Sequence, residues 1–234
     1  MPSTPAPPLL KTPPASATAD GDHASARKRG RDKEQSRRHD MLAATRKLLR
    51  RGGVPAVTMR AVAHAVGVST TVVYALFPDK AALIAQAVDG DLKRFSRHLQ
   101  QALAGGEDAR DAVRRVAHAY VAFGVAHPQS YRLMFMEPRP ASAIDASSIE
   151  FGNPAEDAYA LARMLAERVL AATDGQAPMQ ARIDTAAQLL WEALHGVTSL
   201  RISLGDDPWF ERLPLRAHVD RMVDVLLAGL QGGD

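Results

Sequence analysis

The side chains best suited to chemistry lie between residues 58 and 80, and that chemistry is hydrogen bonding. Thr70 and Thr71 place two hydroxyl groups side by side, and Tyr74 adds a phenol on the same short segment. Hydroxyls donate and accept hydrogen bonds, so these groups suit the base edges and phosphates of duplex DNA. The methyl groups of Thr71 and Val72 suit contact with a thymine methyl in the major groove.

Two cations flank this segment. Arg60 is expected to reach a guanine edge or a phosphate, and Lys80, in the first turn of a later helix, is expected to clamp a phosphate together with the free N–H groups there. Simple exposure to solvent is the alternative interpretation for each of these side chains. The predicted DNA-binding residues are Thr58, Arg60, Ser69, Thr70, Thr71, Val72, Tyr74, Ala75 and Lys80.

The elements that position these residues are two short helices and a turn. Apolar residues repeat at intervals i, i+3, i+4 and i+7 in the first helix, which predicts one buried stripe. Gly67 supplies the positive φ of a tight turn, and Ser69 is expected to cap the second helix. This pattern predicts a helix-turn-helix over residues 58–77. The stripe comprises Met59, Val62, Ala63 and Val66.

Charge is distributed unevenly along the 234 residues, although the net charge is only +3. Residues 24–60 contain twelve Lys or Arg against three acidic residues, a net charge of +9, whereas residues 61–234 carry −5. A basic N-terminal region joined to an acidic body indicates a polyanionic partner for one part of the chain. A solvated, disordered basic tail is the alternative.

Helical spacing recurs along the chain without the alternation typical of strands, so the predicted fold class is all-α. We expect a disordered tail, Pro-rich and then basic, over 1–32, a DNA-binding domain over 33–80, and a helical regulatory and dimerisation domain over 81–234. Asn153 and Pro154 are expected to start one of its helices as cap and first residue. The predicted helices are 33–51, 58–66, 69–76, 79–103, 108–126, 129–135, 153–172, 179–204 and 214–230.

The last two predicted helices carry apolar stripes that step by three and four residues. Such stripes let two antiparallel helices pack at a shallow angle. They indicate either packing onto their own domain or a four-helix interface with a second copy, and the pattern does not separate the two. The predicted dimer-interface residues are Leu190, Leu194, Val197, Val219, Met222 and Leu226.

Aromatic and methionine residues concentrate in the same half of the chain. Methionine adapts to varied apolar shapes, so this composition suits a binding cavity, although plain core packing is the alternative for each residue. His127 precedes a proline at a helix end, and His195 follows Trp191 by one helical turn. The predicted pocket residues are Phe123, His127, Tyr131, Met134, Phe135, Met164, Trp191 and His195.

Several other classes of protein are disfavoured. The chain has no cysteine, which excludes disulfides and thiolate sites, and it carries no phosphate-binding loop, nucleophile elbow or zinc-protease motif. We therefore predict no enzyme activity, cofactor or metal. No apolar run approaches the length that spans a bilayer, and the N-terminus has no apolar signal core, so no membrane partner and a cytoplasmic location are expected.

The segment Thr58–Leu83 resembles the DNA-binding domain of the TetR family of bacterial regulators, with Thr71, Ala75 and Leu76 departing from the family's usual residues. Residues 120–135 and 191–200 resemble a TetR subgroup whose regulatory domain carries a Trp…His-Gly motif. The resemblance implies a homodimer that binds a palindromic operator and responds to a small molecule, most often as a repressor. A non-specific architectural DNA-binding protein is the main alternative, and a helical enzyme or scaffold the next. The matching residues are Thr58, Arg60, Val62, Ala63, Gly67, Val68, Ser69, Val73, Tyr74, Phe77, Lys80 and Leu83.

Overall fold

Helices are the only regular elements within the residues that the structure, a computed structural model, describes: 19–106, 108–137, 147–175, 177–205, 207–209 and 211–230. The chain divides into two compact units, the first ending at Asp40 and the second beginning at Met41. The all-α prediction is confirmed. The helices are α1 (Ala19–Ala56), α2 (Met59–Val66), α3 (Thr70–Leu76), α4 (Lys80–Leu103), α5 (Ala109–Ala126), α6 (Pro128–Phe135), α7 (Ala158–Asp174), α8 (Gln180–Ser203) and α9 (Leu215–Gly229).

Side-chain caps begin three of the predicted helices. Thr58 Oγ1 accepts from the backbone N–H of Ala61 at 3.0 Å, and a carboxylate oxygen of Asp79 accepts from that of Ala82 at 2.8 Å. Asp108 caps α5 in the same way. Each cap satisfies a backbone donor that would otherwise lack an intrahelical partner, a contribution of about 1 kcal/mol.

The N-terminal tail departs from the sequence prediction. Residues 19–32 were expected to be disordered, but they are helical and form the beginning of α1. The prediction was wrong here because low apolar content limits burial without preventing a helix, and Ala, Arg, Lys and Glu all favour helical backbone. The Pro-rich residues 1–18 lie outside the described part of the chain.

Two further details of the helix boundaries were predicted incorrectly. Asn153 and Pro154 form a turn, in which Asn153 accepts from the backbone N–H of Ala155, and Asp157 instead caps the helix that follows. Ser69 precedes α3 at the expected position, but its side chain makes no capping hydrogen bond. Its backbone carbonyl accepts from the N–H of Val72 instead.

Helix α1 breaks at Gly52 and Gly53, directly after the end of the predicted helix 33–51. Both residues leave helical geometry, and Gly53 adopts a φ of 64°, so α1 is kinked before its last short stretch. Among the described residues, no single helix is both long and apolar enough to cross a bilayer. Only α2 and α3 taken together satisfy that criterion, and they are bent by 107°.

Helix α5 is the centre of the second unit and contacts α4, α6, α7, α8 and α9. An aromatic cluster fills the space where α4, α5 and α6 meet. Phe95 packs edge-on against Tyr120, Phe123 and Phe135, with ring centroids 5.1 to 5.4 Å apart. Offset and edge-on aromatic contacts of this kind add about 1 kcal/mol each to the burial of the rings.

Helices α5 and α8 approach each other closely at Gly124, which is buried. A Cβ atom at this position would lie 2.2 Å from Cγ2 of Thr198 and 3.0 Å from a ring carbon of Tyr131. Neither neighbour is the end of a flexible chain. The glycine is therefore required by packing and sets the distance between the two helices.

We predict that Gly124→Ala destabilises the protein by about 2 kcal/mol, since over-packing a core forces its neighbours out of place. The matched control is Gly90→Ala in the interior of α4, where the added methyl group meets only an Arg46 nitrogen at 3.4 Å. That change is expected to stabilise by about 0.5–1 kcal/mol. Chemical unfolding of both variants measures the difference, and similar stabilities would contradict the close packing.

Candidate nucleic-acid interface and ligand cleft

Helices α2 and α3 meet at an angle that suits a helix-turn-helix. The bend of 107° lies within the range of this motif, about 90–120°. Gly67 adopts a φ of 69°, and its N–H bonds back to the carbonyls of Ala63 and His64. Val62, Ala63 and Val73 are buried beneath the turn. The predicted geometry of the motif is therefore present.

The outer face of α3 carries four of the nine residues that the sequence assigned to DNA. Thr70, Thr71 and Ala75 are exposed, and Tyr74 has an exposed fraction of 56%. Val72 differs, because it is half-buried and packs against the core. Thr58, Arg60 and Ser69 are exposed next to α3 in sequence. Hydroxyl donors thus form one side of a short helix that a major groove can admit.

Lys80 has a structural contact that the sequence did not reveal. Its Nζ donates a hydrogen bond to the carbonyl oxygen of Val54 at 2.8 Å, which ties the end of α1 to the start of α4. The two residues lie 26 positions apart, so no local pattern predicts the contact. The ammonium group of Lys80 has three N–H donors. The two that are not bonded to Val54 remain available to a phosphate.

Exposed cations outside the predicted set add to the basic character of the N-terminal region. Lys47, Arg50 and Arg51 are exposed in α1 before its kink. In the first unit, α1 presents exposed basic residues on all sides, at Arg27, Lys28, Arg29, Arg31, Lys33 and Arg37. These residues contributed to the charge imbalance seen in the sequence. The helical placement of those from Lys33 onwards was predicted, and that of Arg27, Lys28, Arg29 and Arg31 was missed.

A cleft of about 810 Å³ opens beside α6, α7 and α8. Its wall is mainly apolar and aromatic, and acidic side chains surround it. The volume falls in the range of small-molecule sites, about 300–1,000 Å³. The lining residues are Leu92, Met134, Phe135, Glu137, Ile149, Phe151, Glu156, Asp157, Ala158, Tyr159, Gln188, Trp191, Glu192 and His195.

A chain of four hydrogen-bonded side chains leads from the core to this cleft. The indole N–H of Trp191 donates to the hydroxyl of Tyr120 at 3.2 Å. The hydroxyls of Tyr120 and Tyr131 lie 2.9 Å apart, and that of Tyr131 lies 2.8 Å from Nδ1 of His195. Thus the imidazole is held by a buried polar network in an otherwise apolar core.

Burial controls the ionisation of this network. Desolvation raises the pKa of Tyr120 to about 12, and it raises the pKa of Tyr131 well above the ordinary value. Both phenols are therefore protonated at neutral pH. Burial lowers the pKa of His195, since desolvation disfavours the charged imidazolium. The neutral ring is favoured at pH 7.

The structure divides the predicted pocket residues among several places. Met134, Phe135, Trp191 and His195 line the cleft, and Tyr131 lies fully buried behind His195. The other three, Phe123, His127 and Met164, lie outside this cleft, and their part in ligand binding stays a prediction. Met164 is half-buried against the core and does not line the cleft, because its position in α7 turns it inward.

Phe123 and His127 line a separate surface groove of about 560 Å³. Phe123, in α5, and His127, directly after it, both face the basic residues of α4. They therefore lie on a different side of the domain from the residues that line the cleft. The sequence reasoning also missed Tyr159 and Phe151, which line the cleft. Their aromatic character was the available signal. The remaining residues of the groove are Arg94, Arg97, His98, Gln101, Ala122 and Ala126.

Comparison with known proteins gives the family. Residues 41–87 match the family described as bacterial regulatory proteins, tetR family. Residues 113–230 match the family described as tetracyclin repressor-like, C-terminal domain. The chain belongs to the TetR family. This TetR-family protein is a regulator and not an enzyme, and its membership in the Trp…His-Gly subgroup stays a prediction.

One curated relative is the HTH-type transcriptional repressor KstR of Mycolicibacterium smegmatis, which is 27% identical over 187 residues, 69% of this chain and 90% of the relative. A TetR-like transcriptional regulator from Rhodococcus sp. RHA1 shares the fold with a TM-score of 0.58 at 19% identity, covering 84% of this chain and 97% of that one. The fatty acid degradation regulator FadR from Bacillus halodurans shares it with a TM-score of 0.59 at 15% identity, covering 83% and 96%.

The residues predicted for the dimer interface of the TetR-family protein occupy two environments. Leu190, Leu194 and Val219 are buried within their own chain, which favours packing onto their own domain, and their place in a dimer interface stays a prediction. A stripe with heptad-like steps serves the domain's own core equally well. Val197, Met222 and Leu226 are half-buried. The exposed apolar residues of α8 and α9 are Leu189, Leu200 and Val225.

The lowered pKa of His195 predicts a loss of stability in mild acid. As the pH falls through the ordinary value of 6.5, the unfolded chain binds a proton at this residue before the folded chain does. The free energy of unfolding therefore decreases below that pH, and no such loss occurs above it. Chemical unfolding between about pH 8 and pH 5 tests this prediction against His195→Gln, which does not titrate in this range. Parallel pH profiles for the two proteins would contradict it.

Proposed function

We propose that this chain is a ligand-responsive transcriptional repressor that binds a near-palindromic DNA operator as a homodimer. The observation that carries the proposal is the exposed hydroxyl face of α3 on a helix-turn-helix bent by 107°. The name of the relative KstR, a transcriptional repressor, supports repression as the outcome. Because its partner is chromosomal DNA, we also propose that the protein acts in the cytoplasm.

DNA binding would combine sequence reading with phosphate contact. The exposed Thr70 and Thr71 would face base edges, and the Tyr74 phenol would contact a phosphate oxygen. The basic helical turns between Arg27 and Arg38 would add phosphate contacts. Affinity should therefore fall steeply with salt, because each neutralised phosphate releases counterions.

The homodimer would use the outer faces of α8 and α9. Exposed Leu189, Leu200 and Val225 lie on these helices with the half-buried Met222 and Leu226. Large apolar side chains left exposed on neighbouring helices mark candidate interaction surfaces. A pair of such faces would form a four-helix interface and hold two copies of α3 about 34–36 Å apart, one turn of DNA.

The cleft is connected to the DNA-binding domain through α4. Asp89, which is buried in this helix, accepts hydrogen bonds from the Ser147 hydroxyl at 2.8 Å and the Ser148 backbone N–H at 2.6 Å. The next residues of that loop include Ile149 and Phe151, which line the cleft. A ligand that contacts them would act on a loop fixed to α4.

The same helix begins at Lys80, whose ammonium group holds the end of α1. A shift of α4 would therefore reach the helix-turn-helix. To change DNA binding, the ligand must bind the two arrangements of the chain with different affinities.

Repeated selection from random duplexes at moderate salt tests the DNA-binding part of the proposal. We expect an enriched inverted repeat with half-sites separated by about one helical turn or a multiple of it. The variant Thr71→Ala is expected to select an altered half-site with little loss of total affinity. Its side chain reads bases in this proposal and does not hold phosphates.

The matched control is Tyr74→Phe, which removes one hydroxyl on the same helix face. We expect it to weaken binding to all sequences by a similar factor, about three- to tenfold, without changing the selected site. Tight, salt-sensitive binding without any enriched sequence would favour the architectural alternative. An unaltered site for Thr71→Ala would remove that residue from base reading.

The dimer proposal predicts that Val225→Glu yields a monomer, because a charge placed within an apolar interface cannot be solvated there. Light scattering measures the mass. Met179→Glu is the control, since Met179 is also strongly exposed but precedes α8, away from the proposed surface. A Val225→Glu protein that remains dimeric would reject this surface.

A further inference from the structure

The direction of the hydrogen-bond chain behind the cleft follows from its first member. An indole N–H can only donate, so the hydroxyl oxygen of Tyr120 accepts from Trp191. The Tyr120 hydroxyl is buried, and its other partner among the described residues is Tyr131. Tyr120 therefore donates to Tyr131, because an unpaired buried hydroxyl would cost about 1–3 kcal/mol.

Tyr131 then has one hydrogen to donate, and two side chains lie beside its hydroxyl: Nδ1 of His195, at 2.8 Å, and the Thr198 hydroxyl. Thr198 gives its own hydrogen to the carbonyl of Leu194 at 2.7 Å, and its oxygen is still able to accept. Because the contact to His195 is the one with hydrogen-bond geometry among the described residues, we assign Nδ1 as the acceptor. In the neutral ring, the hydrogen must then be on Nε2.

The position of His195 turns this N–H towards the cleft. Nδ1 points at Tyr131, which is fully buried, and the two ring nitrogens of an imidazole point to opposite sides of the ring. His195 itself is half-buried and lines the cleft. Nε2 has no hydrogen-bond partner in the described part of the chain. The cleft therefore contains a fixed donor on an apolar wall.

The charges around the cleft restrict the ligand further. Four carboxylates line it, at Glu137, Glu156, Asp157 and Glu192, whereas no Lys or Arg does so among the described residues. Lys93 pairs with Glu156 at 3.7 Å, and Asp157 caps α7. Glu192 is exposed in α8, one turn before His195. An anionic group entering this cleft would meet these carboxylates, and Lys93, a cation that the described residues place beside them, is already paired with Glu156.

We infer that the ligand of this cleft is an uncharged, largely apolar molecule that presents a carbonyl or ether oxygen to the Nε2–H of His195, and that the cleft rejects carboxylates. Phe135, Phe151, Tyr159 and Trp191 supply the apolar contact. The inference rests on the proposed function only in treating this ligand as the effector. The chemistry of the cleft stands independently of DNA binding.

The tautomer is tested first, on the full chain without DNA. Long-range proton–nitrogen correlation spectra of ¹⁵N-labelled protein distinguish the two neutral tautomers, and His195→Gln assigns the His195 signals. We expect the hydrogen on Nε2. We also expect Tyr131→Phe to loosen this preference, because Nδ1 loses its donor. A hydrogen on Nδ1 in the wild type would overturn the inference.

Ligand class is tested with matched pairs of a ketone and a carboxylate: 2-nonanone with nonanoate, and 2-acetylnaphthalene with 2-naphthoate. Binding is followed by the shift of the His195 nitrogen signals. We expect the ketone of at least one pair to bind roughly tenfold more tightly than its carboxylate. A carboxylate that binds more tightly than its ketone, or no shift with either ketone, would overturn the inference.

Three variants separate the hydrogen bond from the charge. Calorimetry with 2-nonanone is expected to show a three- to tenfold loss of affinity in His195→Leu, with recovery in His195→Gln, whose amide restores an N–H donor. Glu192→Gln is expected to improve nonanoate binding and leave 2-nonanone unchanged. Equal affinity for 2-nonanone in the wild type, His195→Leu and His195→Gln would reject the role of His195. The duplex selection described above reports separately on DNA binding, so failure of one experiment leaves the other interpretable.

Discussion

The close approach of α5 and α8 at Gly124 is the constraint on which the rest of the regulatory half depends. With no side chain at this position, Tyr131 and Thr198 pack directly against the α5 backbone. Tyr131 is thereby placed between Tyr120 and His195, where its hydroxyl bonds to both. A wider spacing of the helices would break the chain of hydrogen bonds and leave buried phenols unpaired. Packing at one glycine thus fixes the orientation of a polar group in the cleft.

The apolar parts of the fold were largely predictable from sequence, because periodic burial is a local signal. The helix-turn-helix, the caps at Thr58, Asp79 and Asp108, and the break at Gly52 all follow from residue types within one or two helical turns. The helical basic tail was missed for a physical reason. Composition shows whether a segment can be buried, and a helix that remains exposed depends on backbone propensity instead.

The cleft and the interface surfaces required the structure. Spacing placed Trp191 and His195 on one face of a helix, but it could not show that Phe123 faces a different groove. The hydrogen bond between Lys80 and Val54 and the attachment of Ser147 to Asp89 join residues 26 and 58 positions apart. An apolar stripe does not show whether it packs in the core or at a subunit interface, because both environments select the same residue types. Only their exposure in the folded chain distinguishes Val219 from Val225.

Helix α3 and the cleft occupy different parts of the chain, and their proposed functions require opposite charges. Phosphate contact needs exposed cations, and the N-terminal region supplies them. A cleft with similar charge would attract nucleic acid and anionic metabolites alike. In the ligand site proposed above, the carboxylates at the cleft, including Glu192, would disfavour such anions, and the Nε2–H of His195 would be a weak, directional contact. A single neutral hydrogen bond contributes only about 1 kcal/mol, so most of the ligand's affinity must come from the aromatic walls, and the imidazole would select among ligands of similar shape.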